Sequence, residues 1–293
     1  MPAFETLKPI TATLHVEVGD TRVTATDRAD TVVEVHPSTP DNKDDLRAAK
    51  ETKVEYADGR LTVRTPKARG LFGPKGSVFL EISVPSGSRL TGIIQVGNLN
   101  ATGPLDECEV RTSAGSLRVE QAVTARLKTS YGDVTLDRAI GDADVSTSSG
   151  DVRIREVGGD AVLKNSNGAT WIDDVAGELR VKSANGNINV GRAQASVVAK
   201  TANGNIRVEE VARGAVEFET KTGHVEIGIR RGTAAWLDVN SKSGRVSSDL
   251  GATEAPAEGA ETVRVHARTG FGDIRIQRAP QTIPHTNTDG EAR

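Results

Sequence analysis

Apolar and polar residues alternate along most of this chain in short segments, and a glycine interrupts them at nearly regular intervals. The ten interrupting glycines are Gly97, Gly115, Gly132, Gly150, Gly168, Gly186, Gly204, Gly223, Gly244 and Gly272. Successive glycines lie 17 to 19 residues apart through most of the series, and 21 and 28 residues apart at its end. A repeat of this period is typical of a solenoid, in which each unit packs on its neighbours.

The same residue types recur at fixed offsets from each glycine. Apolar residues stand two and four positions after it, as Val152 and Ile154 do after Gly150, and five positions before it, as Val145 does. Because the intervening positions are polar, each repeat predicts two strands of about five residues with one buried face. The glycine marks the turn between them, since such corners often require a positive φ.

A further column, three positions before the glycine, carries hydroxyl or amide side chains. Its members are Thr112, Thr129, Thr147, Asn165, Ser183, Thr201, Thr220, Ser241 and Thr269. An antiparallel meander would use Asn-Gly as a hairpin turn. The near-constant repeat length instead favours a parallel coil, in which equivalent side chains lie about 4.8 Å apart. In that coil we expect the hydroxyl groups to form a hydrogen-bonded ladder beside the corner.

The prediction is therefore an all-β protein, a parallel β-helix or β-solenoid of about ten 18-residue rungs over residues 91–277. Residues 1–90 repeat less regularly and predict a β-rich cap, which would protect one end of the coil from edge pairing. Its expected strands cover residues 11–18, 22–26, 31–36, 54–56, 61–64 and 78–84. We expect a charged connector with a helical turn at 41–53, an insertion at 248–260 and a disordered tail at 278–293.

Composition narrows the class of protein. Only 36% of residues are hydrophobic and 3% aromatic, so the core must consist of small branched side chains. A net charge of -3 does not indicate a nucleic-acid-binding protein. Cys108 is the only cysteine, which excludes an intrachain disulfide and a cysteine-based zinc site. The opening residues lack a signal-peptide pattern and no apolar stretch reaches transmembrane length, so we expect a cytoplasmic protein, with peripheral membrane association left open.

The repeats resemble those of a widespread bacterial family of β-strand-repeat proteins labelled "putative adhesins", a domain of unassigned function. The resemblance rests on the repeated unit S-x-x-G-[DN]-[VI]-x-[VIL], as in VKSANGNINV, with Thr in place of Ser in copies such as VSTSSGDVRI. The segment VPSGS at residues 84–88 and the segment YADGRLTV at residues 56–63 add to it. It covers roughly residues 5–277 and implies a right-handed single-stranded β-helix. The motif consists of corner and core residues, so it implies an architecture and no activity.

Motifs of catalysis are missing from the sequence. It has no G-x-S-x-G, H-E-x-x-H, Walker A or G-x-G-x-x-G motif, and its five histidines show no ligand spacing. We therefore predict no enzyme activity, cofactor or metal site. The alternative is a carbohydrate-active β-helix enzyme that uses Asp133 and Asp151, which follow two successive corner glycines and would stack about 5 Å apart. Asp at that position also suits turn hydrogen bonding.

A column of basic residues lies four positions before the glycines and would point outward. Its cationic members, the basic stripe, are Arg111, Lys128, Lys164, Lys182, Lys200 and Arg268. Such a line of cations would match an anionic polymer or a lipid surface. The competing interpretation is a solvated face that keeps the coil soluble. Nucleic acid is a poor candidate because aromatic residues for base stacking are scarce.

A second candidate binding element is the basic Gly/Pro-rich loop at residues 65–77. It carries Leu71 and Phe72, which could contact a partner or a membrane or pack against the end of the coil.

These observations predict a non-catalytic scaffold or binding protein that presents flat ladder faces to a protein partner, an anionic polymer or a membrane surface. A further alternative is a structural element that self-associates weakly through its coil ends.

Overall fold

The structure is a computed structural model that describes residues 2–67, 76–251 and 261–280. Within these ranges it contains 24 strands and one helix. The N-terminal elements are β1 (Ala3–Glu5), β2 (Thr11–Thr26), β3 (Asp30–Pro37), α1 (Lys43–Glu51), β4 (Lys53–Ala57), β5 (Arg60–Arg64), β6 (Val78–Pro85) and β7 (Arg89–Val96). The predicted strands are thus present, the first two as one continuous strand, and the charged connector forms a nine-residue helix.

The remaining strands follow the glycine repeat. They are β8 (Leu99–Ala114), β9 (Leu117–Tyr131), β10 (Val134–Ala139), β11 (Ala143–Ser149), β12 (Val152–Val157), β13 (Ala161–Asn167), β14 (Thr170–Val175), β15 (Leu179–Asn185), β16 (Ile188–Ala193), β17 (Val197–Asn203), β18 (Ile206–Val211), β19 (Gly214–Thr222), β20 (Val225–Ile229), β21 (Ala234–Ser243), β22 (Val246–Ser248), β23 (Thr262–Phe271) and β24 (Ile274–Arg278). The predicted tail beyond residue 280, most of the predicted insertion, and the loop residues Leu71 and Phe72 lie outside the described residues.

The strands form a parallel coil, which confirms the predicted all-β solenoid. Segments that precede the corner glycines stack into a first ladder, for example β11, β13, β15 and β17, and segments that follow them stack into a second ladder, for example β12, β14, β16 and β18. Residues one repeat apart are direct neighbours, as Lys164 and Lys182 are. The inward columns are fully buried between the ladders, with Leu163, Val181 and Ile188 at 1% exposure or less.

Both ends of the coil depart from sequential stacking. At the start, β2 is bonded on both sides, because its first half pairs with β5 and β7 and its second half with β6 and β8. At the other end, β23 lies between β19 and β21, and β24 lies between β20 and β22. The repeat of Gly244 therefore does not rest on that of Gly223, as simple stacking would require, because the repeat of Gly272 is inserted between them.

The two ends of the coil are also covered differently. Beyond β5 and β6 lie the antiparallel strands β4 and β3, followed by β1, so parallel stacking stops there. Helix α1 begins with Asn42, whose side chain accepts hydrogen bonds from the N–H groups of Asp44 and Asp45. The helix packs next to β3 and β6. The parallel ladders reach into residues 1–90, and the antiparallel strands close that end.

The hydroxyl column beside the corner is buried, but its hydrogen bonds differ from the predicted hydroxyl-to-hydroxyl ladder. Seven of its side chains donate to the carbonyl oxygen of the corner glycine on the adjacent rung, whereas Thr112 and Ser183 have no hydrogen-bond partner in the described residues. Thr129 Oγ1 donates to Gly115 over 3.0 Å, Thr147 to Gly132 over 3.1 Å, and Asn165 Nδ2 to Gly150 over 3.1 Å. The column thus ties neighbouring corners together through side chain and backbone, which explains why Asn can replace Thr in it.

Thr170 allows a direct test of what a buried hydroxyl group without a hydrogen-bond partner costs in stability. It occupies an inward column between Val152 and Ile188, it is 0% exposed, and its Oγ1 has no hydrogen-bond partner in the described part of the chain. We expect Thr170→Val to raise the free energy of unfolding by about 1 kcal/mol, because it removes a buried unsatisfied hydroxyl without changing the shape. Thr129→Val is the matched control and should lower it by about 1 kcal/mol, because it removes the donor to Gly115. Urea unfolding followed by circular dichroism measures both, and a loss of stability in Thr170→Val would contradict the prediction.

Candidate functional site

The structure places the predicted basic stripe in one in-register column on the outer face of the first ladder. Pairing is in register from Arg111 to Lys128, through Ser146 to Lys164, and on to Lys182 and Lys200. Glu219 and then Arg268 continue the same column. The predicted alignment is therefore confirmed, with adjacent members about 4.8 Å apart.

Acidic neighbours neutralise the two ends of the stripe. Arg111 contacts Glu109 at 3.1 Å, and Arg268 contacts Asp238 at 3.1 Å. Lys200 Nζ lies 2.6 Å from Glu217 and 3.1 Å from Glu219. Hydrogen bonds to these two carboxylates raise the pKa of Lys200, and the lysine in turn lowers the pKa of Glu217.

The centre of the stripe keeps its charge. Lys128, Lys164 and Lys182 are exposed, and no ion pair involves them within residues 2–67, 76–251 and 261–280. The next outward column toward the corner carries Ser166 beside Lys164 and Ala184 beside Lys182. Such small side chains leave the ammonium groups open to a ligand.

An amide ladder borders this central part of the stripe at the corner. Asn185 Nδ2 donates to Asn167 Oδ1 over 2.9 Å, and Asn203 Nδ2 donates to Asn185 Oδ1 over 2.9 Å. Asn167 begins the ladder by donating to the carbonyl oxygen of Ser148. The amides link successive corners, so the lysines stand beside a column of side chains held in register.

The second ladder has a different charge arrangement, because its arginines find acidic partners on neighbouring positions. Arg192 contacts Asp174 at 2.7 Å and Arg138 contacts Glu156 at 3.3 Å. Arg153 contacts Asp151 at 3.0 Å and also lies over the ring of Trp171, 4.4 Å from its centroid. The second ladder is thus largely self-neutralised, whereas the first ladder keeps three lysines without ion pairs in a single column of the described chain.

Asp133 and Asp151 lie on successive rungs, as the carbohydrate-active alternative requires, but their carboxylates serve the corner. Asp133 Oδ1 accepts the backbone N–H of Asp151 over 2.8 Å, and Asp151 Oδ1 accepts that of Ala169 over 3.0 Å. Other members of the column do the same, including Asn98, Ser116, Asn187, Asn205 and Asp273. The geometry therefore assigns both carboxylates a role in holding one corner to the next.

Sequence reasoning did not find a groove of about 840 Å³ on the outer face of the first ladder. Its outward residues include Arg180, Val198, Ala215, Glu217, Trp236 and His266. Val198 and Trp236 occupy outward positions of the period-two pattern, where an apolar residue is unusual, and that departure was the available signal. His266 Nδ1 lies 3.0 Å from Asp238 Oδ2 at the rim.

One group of metal-ligand type also escaped the sequence pattern, because its members come from distant strands. Glu34 and His36 on β3 face Glu81 on β6, and their candidate ligand atoms lie within 4.8 Å of one another. These groups already have polar partners. His36 Nε2 lies 3.1 Å from Glu34, and Arg22 contacts Glu81 at 2.8 Å. Among the described residues, no helix combines the length and the apolar character that crossing a membrane requires.

Comparison with solved structures gives matches over nearly the whole chain at low sequence identity. A protein described as a "putative adhesin" from Bacteroides fragilis is 12% identical, with 94% of this chain and 95% of that chain covered and a TM-score of 0.39. A second "putative adhesin", from Parabacteroides merdae, is 12% identical, with coverages of 95% and 96% and a TM-score of 0.36. A "putative lipid binding protein" from Parabacteroides distasonis is 10% identical, with coverages of 93% and 95% and a TM-score of 0.38.

Sequence comparison gives the family directly. No curated protein sequence matches the chain significantly. The sequence profile of the family described as Toastrack DUF4097 matches residues 12–277, which include nearly all of the coil. The predicted resemblance to a bacterial family of unassigned function is thereby confirmed, and the chain belongs to the Toastrack DUF4097 family.

Proposed function

We propose that this chain is a non-catalytic binding protein whose first ladder recognises a linear anionic polymer along the basic stripe. The observation that carries the proposal is the in-register alignment of Lys164 and Lys182, exposed and without ion pairs in the described residues, on a flat parallel ladder. Cations stacked in one column, with Lys164 and Lys182 about 4.8 Å apart and Lys128 two rungs before Lys164, suit a ligand that itself repeats.

The central lysines matter more in this proposal than the ends of the stripe. Arg111, Lys200 and Arg268 already contact carboxylates, so an anionic ligand would have to displace those contacts. Lys128, Lys164 and Lys182 have no such contacts to lose in the described chain. A ligand is therefore expected to contact this central part first.

A linear polymer fits the charge pattern better than a flat lipid surface. The columns beside the stripe contain Asp144 and Glu217, and Glu219 lies in the stripe column itself. A bilayer would contact all of these columns together, so the carboxylates would oppose binding. A polymer chain can follow the line of lysines and leave the acidic positions in solvent.

The test is the double charge reversal Lys164→Glu with Lys182→Glu, with binding of fluorescently labelled polyphosphate and of a sulfated polysaccharide measured by anisotropy. We expect the affinity to fall by at least about thirtyfold, because each lysine near an anionic surface contributes roughly 1 kcal/mol. Binding by the unchanged protein should also weaken as salt is raised.

The matched control is Arg118→Glu with Arg155→Glu. Both arginines are exposed on the second ladder without ion pairs in the described chain, so the change in net charge is the same. Equal losses in the two variants would mean that net charge and not the stripe governs binding. No binding by the unchanged protein, or binding only to vesicles that contain phosphatidylserine, would refute the polymer proposal.

A further inference from the structure

In the described part of the chain, no further strand covers the outermost rung at the C-terminal end of the coil. β21 and β22 pair only with β23 and β24 in the part of the chain that the structure describes. Their inward residues Leu237 and Val246 are 37% and 42% exposed, whereas Val265 and Ile274 in the same columns one rung deeper are 2% and 0% exposed. The hydrophobic interior of the coil therefore reaches the surface at this end.

The outer edge of β21 also lacks a paired strand in the described part of the chain. The N–H of Ala234 donates to the carbonyl oxygen of Glu261, so the even-numbered residues of β21 direct their peptide groups toward β23. Because peptide groups alternate in direction along a parallel strand, those of Leu237, Val239 and Ser241 point away from the coil. An unpaired edge beside exposed apolar residues is a template for another strand.

We propose that a second copy of this chain docks on this end, with β21 pairing antiparallel to β21 of the second copy about a twofold axis. Such an arrangement is self-complementary and closes after two copies. It would cover Leu237 and Val246 of both chains and join the two interiors into one longer core. This surface lies beyond Arg268, the last member of the basic stripe, which contacts Asp238. It does not include Lys164 and Lys182, on which the proposed polymer binding depends, so the two proposals can fail separately.

Charge complementarity selects the register. If the axis passes Asn240, Asp238 lies opposite Lys242 of the second copy, and Lys242 lies opposite its Asp238. Shifting the axis to Asp238 would oppose two like charges, which is destabilising across antiparallel strands. Lys242 is exposed and has no ion pair within the described residues, so it is available for this contact.

The same twofold axis is also compatible with antiparallel pairing of β22, the second strand of the rung, with β22 of the second copy. Asn240 lies between the inward positions 239 and 241 before the corner, and Ser247 lies between the inward positions 246 and 248 after it. The two residues therefore stand at about the same distance from the corner, and one axis can pass both. An axis at Ser247 places Arg245 opposite Asp249 of the second copy, which gives opposite charges on this strand as well.

The experiment measures the molar mass of the full chain by sedimentation equilibrium over a wide range of concentrations. We expect a dimer that dissociates on dilution. In Lys242→Asp, Asp238 faces an aspartate of the second copy, and the dissociation constant should rise by at least about tenfold. Asp238→Lys should do the same, because it places two lysines opposite each other.

A mixture of the two variants separates this geometry from a general charge effect. Chains that carry Lys242→Asp and chains that carry Asp238→Lys restore both opposite-charge contacts only when they pair with each other, so the mixture should form a heterodimer more tightly than either variant alone. Lys221→Asp is the matched control. Lys221 is exposed in the column of Lys242 but two rungs deeper, and the substitution should leave the dimer unchanged.

Three results would overturn the proposal. They are a monomeric protein at every concentration, a Lys242→Asp variant that dimerises like the unchanged chain, and variants that do not recover in the mixture. Thermal unfolding of each variant shows whether the rung itself is intact. Because Asp238 also contacts His266 and Arg268 in its own chain, the Lys242→Asp variant is the decisive single substitution.

Discussion

Gly186→Ala is expected to lower the free energy of unfolding by at least about 4 kcal/mol. Gly186 has φ +145, a region that residues with a Cβ avoid. A Cβ on Gly186 would lie 2.0 Å from the carbonyl oxygen of Gly168 on the adjacent rung. The carbonyl oxygen and carbon of Gly168 that the Cβ would meet belong to the backbone, so they cannot move aside without separating the two rungs. The same close approach recurs at the other corners, as between Gly204 and Gly186 at 2.1 Å.

The control is Gly232→Ala, because Gly232 also has a positive φ, +84, but a Cβ there would meet nothing within 4 Å. We expect this substitution to cost only about 1 kcal/mol, the conformational part of the effect. Urea unfolding can be followed by circular dichroism and by labelling of Cys108, a buried thiol whose pKa burial raises to about 12, so that it stays protonated until the coil opens. Similar losses in the two variants would show that the rungs can separate at the corner.

Phe218→Ala is expected to lower the free energy of unfolding by about 3–5 kcal/mol. Phe218 is 0% exposed and has Ala199 on one side of its column and Ala267 on the other. Its ring fills the space that the two alanines leave, so truncation would place three alanines in a row and create a cavity. The inward columns on the other strand, such as Ile206 and Val225, are themselves packed and cannot fill it fully.

Phe218→Leu serves as the graded control for this cavity. It keeps most of the buried volume and should cost about 1 kcal/mol. Equilibrium unfolding in urea gives both values. A loss below about 1 kcal/mol for Phe218→Ala would show that the rungs move together to close the space.

The glycine period predicted the coil because each recurring residue has a local structural cause. Gly186 and its equivalents are required by the close approach of successive corners, and Asp133 or Asn187 supply an acceptor for the next rung. These causes repeat with every rung, so they are visible in the sequence.

The order of the last rungs could not be predicted in the same way. Ser241 and Thr269 both belong to the hydroxyl column, and both donate to a corner glycine, Ser241 to Gly272 and Thr269 to Gly223. The column residues are therefore compatible with either stacking order. Only the pairing of β23 with β19 decides it, and that contact spans residues far apart in sequence.

The repeat pattern predicted the alignment of the lysines in the candidate site but not their ion pairs or the groove beside them. Parallel register makes the alignment of Lys164 with Lys182 follow from the repeat length alone. The neutralisation of Lys200 depends on Glu217, which lies on the next rung in the neighbouring column, and so on side-chain conformations that a repeat pattern does not contain. The groove beside Trp236 depends on the order of β21 and β23, which the pattern left open.

Strands β2, β23 and β24 each lie between two other strands and not at the edge of a ladder. This position affects how the molecule resists a mechanical pull. A strand at the edge of a sheet can be peeled away one hydrogen bond at a time when the chain is pulled. A pull applied at Thr11 and at Ile276 instead enters strands that are paired along both edges at those residues. Two rows of hydrogen bonds must then shear together before any rung is released, so the coil should act as a stiff tether between those two points.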